Sequence, residues 1–274
     1  MLRVGIIQLN TGNVVASAVE TAEAHIRAAA SQGAVLVTTP ETTHLMEMNR
    51  EAVLKKAKFE VDDLGLQRFQ GLALELGIWL HIGSLIIKVA EDKLANRAFM
   101  IGPDGKIKAR YDKLHLFDVD LPNGETYRES RLYQSGDNAV LVDTPFGKIG
   151  LTICYDLRFP HLYRSLAEEG AKIIMVPAAF TVKTGEAHWH TLLRARAIET
   201  GCYILSAAQT GRHATGRSTY GHSLAVDPWG TVLVDAQEAL GVTIVDLNLA
   251  KVDATRLTMP SLKHKRPFGV TQFE

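Results

Sequence analysis

The order of segments runs twice along this chain, and that repeat limits the folds open to it. Arg3-Val4-Gly5-Ile6 is echoed by Lys148-Ile149-Gly150-Leu151. Gly33-Ala34-Val35-Leu36-Val37-Thr38-Thr39-Pro40 is echoed by Gly170-Ala171-Lys172-Ile173-Ile174-Met175-Val176-Pro177, and Gly77-Ile78-Trp79-Leu80-His81-Ile82 by Gly201-Cys202-Tyr203-Ile204-Leu205-Ser206. The apolar runs have strand length, and amphipathic segments of helical period lie between them. Gly102-Pro103-Asp104-Gly105 and Asp227-Pro228-Trp229-Gly230 read as the turns of two hairpins. Each half is thus strand, helix, strand, helix, strand, hairpin. Two amphipathic helices cover only one face of a sheet, yet these strands are apolar on both faces. Stacking the two sheets with the helices outside buries every apolar face. The expected fold is therefore α/β: a four-layer α-β-β-α sandwich of two stacked mixed sheets with a pseudo-twofold internal repeat, formed as one domain by residues 1–274.

Within that frame, Asn13 is placed to cap a helix over residues 14–32 that Gly33 ends, and Asp62 or Asp63 to start one that Gly77 ends. Residues 42–60 read as a loop with a short helix, and 78–83 as a strand. Residues 112–138 are polar with little periodicity, so a long loop is expected there, of the kind usually kept for function.

Composition narrows the function. Thirty basic and thirty acidic residues leave no net charge, so nothing favours nucleic acid or an anionic membrane. No apolar run approaches the ~20 residues of a membrane span. The start of the chain enters a strand without the layout of a signal peptide. Two cysteines are no disulfide framework, which makes a reducing, cytoplasmic setting the default. No glycine-rich phosphate loop is present, so no cofactor is expected.

Cys154 then stands out. It ends a strand, and a helix with Pro160 in its first turn follows closely. Unpaired N–H groups and the helix dipole at such a place favour a thiolate. Glu41 follows a strand at Pro40, and Lys113 follows the second hairpin strand, so adjacent ends of two stacked sheets can bring all three together. A thiol, a carboxylate and a cation suffice for attack on a carbonyl: nucleophile, proton carrier and oxyanion partner. Cys202, early in an apolar strand with no polar neighbours, reads as structural. His188, His190 and His222 lack zincin spacing, so packing and hydrogen-bonding roles are expected and no metal site. Arg194 and Arg196 read as partners of Glu199 or of a second subunit.

Three segments carry a resemblance. Gly150-Leu151-Thr152-Ile153-Cys154-Tyr155-Asp156-Leu157-Arg158-Phe159-Pro160 is similar to the nucleophile motif of the nitrilase superfamily of carbon–nitrogen hydrolases. Tyr111-Asp112-Lys113-Leu114-His115-Leu116-Phe117-Asp118 is similar to its lysine motif, and Thr39-Pro40-Glu41 to its glutamate motif. The resemblance extends over nearly the whole chain, and the family fold it implies is the same sandwich. It implies Cys154 as nucleophile, Glu41 as general base, and Lys113 with the Tyr155 N–H at the oxyanion. A second active-site glutamate is implied after the lysine. Glu129 fits best, with Glu125 close by. Residues 179–189, 193–200, 220–223 and 227–230 resemble the amidase branch acting on deaminated glutathione, with ω-amidase, which acts on α-ketoglutaramate, as its near relative. The substrate implied is a small-molecule amide. Arg158 is positioned to hold its carboxylate by a bidentate pair, or else to pair with Asp156 or another acidic side chain. Phe180 and Thr184 would line the pocket; the alternative packs Phe180 in the core and leaves Thr184 to cap a helix starting near Glu186. The resemblance also implies a homodimer or higher homo-oligomer.

Overall fold

Both sides of the central strands are buried, and this dictates layers. Val4 and Ile6 belong to an apolar cluster shared with the second half of the chain, whereas Ile7 joins a separate cluster with Ile26, Phe69 and Leu72. Side chains alternate across a strand, so this one lies between two different layers. The computed structural model, which describes residues 1–121 and 124–273, supplies the arrangement.

The first sheet takes β1 (Leu2–Gln8), β2 (Leu36–Thr38), β3 (Trp79–Ala90), β4 (Lys93–Ile101) and β5 (Ile107–Asp112). The second takes β6 (Val140–Thr144), β7 (Gly147–Leu151), β8 (Ala171–Met175), β9 (Tyr203–Ser206), β10 (Leu224–Val226) and β11 (Val232–Asp235). The last strand, β12 (Gly241–Leu247), returns to the edge of the first sheet. The spatial orders are β12-β1-β2-β3-β4-β5 and β6-β7-β8-β9-β10-β11. Along each of these orders three parallel strands are flanked by one antiparallel strand on one side and an antiparallel pair on the other, and the two-residue strand Lys58–Phe59 also pairs with β3, in parallel, as a seventh strand of the first sheet. The repeat expected from sequence is thus a repeat of topology.

The described residues form six α-helices: α1 (Val15–Ser31), α2 (Arg50–Lys56), α3 (Leu64–Leu76), α4 (Pro160–Glu168), α5 (Val182–Thr200) and α6 (Ala250–Thr258). Buried residues of α1 and α3 pack on the first sheet, and those of α4 and α5 belong to the cluster that holds the second. The echoed glycines explain the close packing. A Cβ at Gly5 would sit 2.7 Å from Ala29 in α1, and one at Gly150 would sit 3.0 Å from Leu166 in α4.

Several boundaries differ from expectation, each for a local reason. Asn13 does not cap α1: Val14 is the N-cap and no side chain caps the helix, while the Asn13 carbonyl accepts from Lys56 Nζ at 2.8 Å. Asp63 does cap α3, accepting from the Leu66 N–H at 2.8 Å, and Gly77 ends it in the left-handed conformation. Strand β3 runs well past residue 83 because an irregularity between Ile82 and Leu85 interrupts its pairing with β4 and then lets it resume. That irregularity has a use. Ser84 Oγ and its carbonyl accept the N–H groups of Thr42 and Thr43, and the Gly83 N–H donates to Thr39 Oγ1. A Cβ at Gly83 would lie 2.1 Å from the Thr39 carbonyl, so only glycine lets the turn bearing Glu41 rest on this strand. The loop expected over 112–138 includes residues 122 and 123, which lie outside the described residues. Around them Asp118–Asp120 pairs with Thr126–Arg128, and Glu129–Arg131 forms a 3-10 turn.

Candidate active site

Chain geometry puts Cys154 on a sharp corner. It follows β7, its φ is +48°, and its N–H donates to the Pro177 carbonyl just beyond β8 at 2.9 Å. A β-carbon residue held in the left-handed region is strained, and such strain gathers at functional positions. A five-residue 3-10 turn, Cys154–Arg158, comes next, and α4 starts only at Pro160.

Glu41 and Lys113 meet Cys154 from the other sheet. Lys113 Nζ lies 3.0 Å from Glu41 Oε1 and 2.9 Å from Glu129 Oε2. Asn96, inside β4, donates through Nδ2 to Glu41 Oε1 at 2.8 Å and to Glu129 Oε1 at 3.2 Å. The Ala179 N–H donates to Glu41 Oε2 at 2.9 Å. The Phe117 N–H fixes Glu129 at 2.6 Å. Glu129 therefore sits beside the lysine, whereas Glu125 is exposed and accepts the Tyr127 hydroxyl.

The charges follow from this geometry. Burial pushes the Glu41 carboxyl up, but Lys113, the hydrogen bond with the Cys154 thiol and Arg217 outweigh it, so it lies below its usual range. Burial pulls the Lys113 ammonium down, yet Glu129, Glu41 and Cys154 hold it well above its usual value. Burial, and then the Glu41 charge, push the Cys154 thiol well above its ordinary pKa. The thiolate expected from a helix dipole is therefore not the resting form. The helix begins too late, the site is too dry, and an anion already stands beside the sulfur. At rest the site holds a carboxylate, an ammonium and a neutral thiol.

One buried carboxylate ties the Cys154 turn to the Lys113 segment. Asp156 accepts from the Ile153 N–H (2.8 Å), Tyr111 Oη (2.6 Å), the His115 N–H (3.0 Å) and His115 Nδ1 (2.7 Å). That occupancy settles where Arg158 goes. It does not pair with Asp156. It contacts His188 Nδ1 at 3.3 Å and lies over the rings of Tyr155 and Phe180, on the wall of a cleft of about 440 Å³ that contains Cys154. Tyr155, Phe180 and Thr184 line the same cleft. Phe180 also packs on Trp189 with ring centroids 4.8 Å apart, so it serves core and wall together. Thr184 is not a cap near Glu186, because α5 already begins at Val182; its hydroxyl meets that of Thr181 at 2.8 Å.

Comparison with known proteins fits this geometry. The carbon–nitrogen hydrolase family model matches residues 3–257. The chain belongs to the carbon–nitrogen hydrolase family. It is 43% identical over 239 residues to a deaminated glutathione amidase of Yersinia enterocolitica, covering 86% of this chain and 83% of that one. A mouse protein of the same name is 40% identical over 248 residues, 88% and 76% of the two chains. Among solved structures, the Caenorhabditis elegans NitFhit protein superposes with a TM-score of 0.91 at 36% identity, covering 97% of this chain and 65% of that one. Saccharomyces cerevisiae Nit3, of the nitrilase superfamily, gives 0.85 at 27% identity over 94% of both chains.

In this hydrolase, sequence reasoning missed Asn96, Asp156 as a hub, and Arg217. Arg196 is buried and donates to the Leu157 carbonyl at 2.7 and 3.0 Å besides pairing with Glu199, so it holds the end of the nucleophile turn. Arg194 donates to the Gly230 carbonyl. Cys202 is buried as expected but has polar company, the Ala171 carbonyl and Arg256. Among the described residues, His190, His222 and Asp235 form the one group of three with ligand atoms close enough to share an ion. Asp235 hydrogen-bonds both histidines, and none of the three lines the cleft. Among the described residues no helix is long and apolar enough to cross a membrane.

Proposed function

We propose that the enzyme cleaves the amide of deaminated glutathione, yielding α-ketoglutarate and cysteinylglycine through a thioester on Cys154. One observation carries the reading: a single buried carboxylate, Glu41, shares the cleft wall with Cys154 and accepts from both the Lys113 ammonium and the Ala179 N–H. As Sγ attacks the carbonyl carbon, its proton passes to Glu41. The oxyanion lies toward Lys113 and the Tyr155 N–H, which has no backbone acceptor among the described residues. Glu41 then delivers the proton to the departing dipeptide amine as the C–N bond breaks. Water attacks the thioester, Glu41 takes a proton from it, and the thiol is restored when the acid leaves. Lys113 keeps Glu41 ionised between steps, and Glu129 with Asn96 orients Lys113. Arg158 takes the substrate carboxylate beside Phe180 and Thr184.

The names of the amidase relatives and the basic cleft support this substrate. The test is turnover of deaminated glutathione, with both products measured. Stoichiometric α-ketoglutarate and cysteinylglycine from the enzyme, and neither from Cys154→Ala, are expected. Absence of cysteinylglycine with the native protein would refute the reading. The resemblance also supports a homo-oligomer of cytoplasmic setting; sedimentation at the monomer mass would overturn the first point.

A further inference from the structure

The cleft is more basic than one carboxylate requires. Six cationic side chains line it against three carboxylates. The three carboxylates are engaged, Glu41 and Glu129 with Lys113 and Glu47 with Lys56. Of the cations, Arg128 is tied to Asp120, Lys113 to its two glutamates, and Arg158 stands beside the nucleophile turn. Arg50 and Arg131 are exposed side chains of the rim.

Arg217 differs from all of these. It comes from the hairpin Thr210–Arg212 and Ser218–Tyr220, and it is only partly exposed. Its Nη2 donates to the Ala179 carbonyl at 2.5 Å, its Nη1 touches Met46 Sδ at 3.9 Å, and its guanidinium lies 5.5 Å from the Tyr127 ring centre. Its Nε is buried with no hydrogen-bond partner. No carboxylate lies within ion-pairing distance of it among the described residues. A buried donor on a permanent cation is costly to leave unsatisfied. A guanidinium that lines a cleft, with Nη1 meeting only the Met46 thioether, fits a carboxylate.

Arg158 and Arg217 meet the cleft through different neighbours. Arg158 contacts Tyr155, Phe180 and His188; Arg217 contacts Met46, Tyr127 and Ala179. We infer that Arg217 is a second carboxylate subsite, and that the cleft is built for an amide whose two sides both end in carboxylates. Arg158 takes the acid on the acyl side, and Arg217 takes the terminal carboxylate of the amine that leaves. This rests on the proposed substrate, a keto acid joined to a dipeptide, and adds what it does not specify: the residue that recognises the leaving half. A substrate with ammonia as leaving group has nothing for Arg217 to hold, so Arg217 is the residue that separates the two kinds of amide.

The test compares deaminated glutathione with its C-terminal carboxamide, which lacks only the distal charge. Calorimetry on Cys154→Ala, with and without Arg217→Gln, reads binding. With Arg217 present the acid is expected to bind about tenfold to a hundredfold more tightly than the carboxamide. With Arg217→Gln the two should bind alike. In turnover, Arg217→Gln should lower kcat/KM for deaminated glutathione more than for α-ketoglutaramate by a similar factor, because any change at the Glu41 charge bears on both substrates alike. Equal binding of acid and carboxamide to the Arg217 protein overturns the inference. So does an equal loss on both turnover substrates, which would make Arg217 only the clamp of Ala179. If the acid is preferred in binding but the active enzyme never cleaves it, the substrate reading fails and the subsite stands.

Discussion

Replacing Asp156 with asparagine removes one charge and adds no volume, yet the geometry makes it a severe change. The carboxylate meets a backbone N–H at each oxygen, Ile153 at Oδ2 and His115 at Oδ1. Whichever way the amide is turned, its NH₂ faces one of these N–H groups. The Tyr111 hydroxyl can rotate and His115 can change tautomer, but a backbone N–H has no such freedom. One buried donor is left opposed, costing about 1–3 kcal/mol, and the bonds that remain lose their charge assistance. The sum is about 3–5 kcal/mol, because the side chain is wholly buried and no water can step in. For a chain of this size that lowers Tm by roughly 6–12 °C. Thermal and urea unfolding of native protein and Asp156→Asn measure it directly. Turnover should fall as well, since the link between the nucleophile turn and the lysine segment is loosened. A Tm drop below about 2 °C with intact turnover would refute the claim that Asp156 is the joint between the two segments.

Three more outcomes are expected. Glu41→Gln should abolish turnover yet make Cys154 alkylate faster at neutral pH, because the anion that helps push the thiol up is gone while Lys113 remains; slower alkylation would count against the assigned resting charges. His81, buried and pushed down to about 3 by burial alone, stays neutral when folded. The unfolded chain takes the proton first, so stability is full above about pH 6.5 and falls as pH drops, by about 2–3 kcal/mol at pH 4.5. His81→Gln should flatten that part of the stability–pH curve, and an unchanged slope would exclude His81 as its source. Glu129→Gln should cut kcat about tenfold to a hundredfold by loosening Lys113, and Glu125→Gln should leave it near native; steady-state kinetics on the two variants decides.

Cys154, Lys113 and Glu41 could be singled out because each stands where an apolar run stops, and strand ends are where a sandwich gathers side chains. Asn96 could not, since an asparagine within a strand has no signature until the strand's neighbour is known. Arg217 lies in a polar hairpin where its charge reads as ordinary surface. The resting thiol was misjudged for a physical reason. A helix start shows in the sequence as Pro160, but the dryness around Sγ and the anion beside it come from the other sheet. Strand β3 was cut short at Gly83 because a bulge breaks the alternation that identifies strands, and the bulge is what seats Glu41.

The repeat has a consequence for how activity fails. Glu41, Asn96, Lys113 and Glu129 belong to the first half of the chain, and Cys154, Asp156 and Ala179 to the second. The hydrogen bonds from the Ala179 N–H to Glu41 and from the Tyr111 hydroxyl to Asp156 span the boundary between these halves. Activity therefore acts as a gauge of alignment between two layers that share one apolar core. A slide of about 1 Å of one against the other leaves every strand paired and every helix seated, but separates the reacting groups. In rising denaturant the catalyst should go silent while its circular dichroism is still native, and it should return at once on dilution.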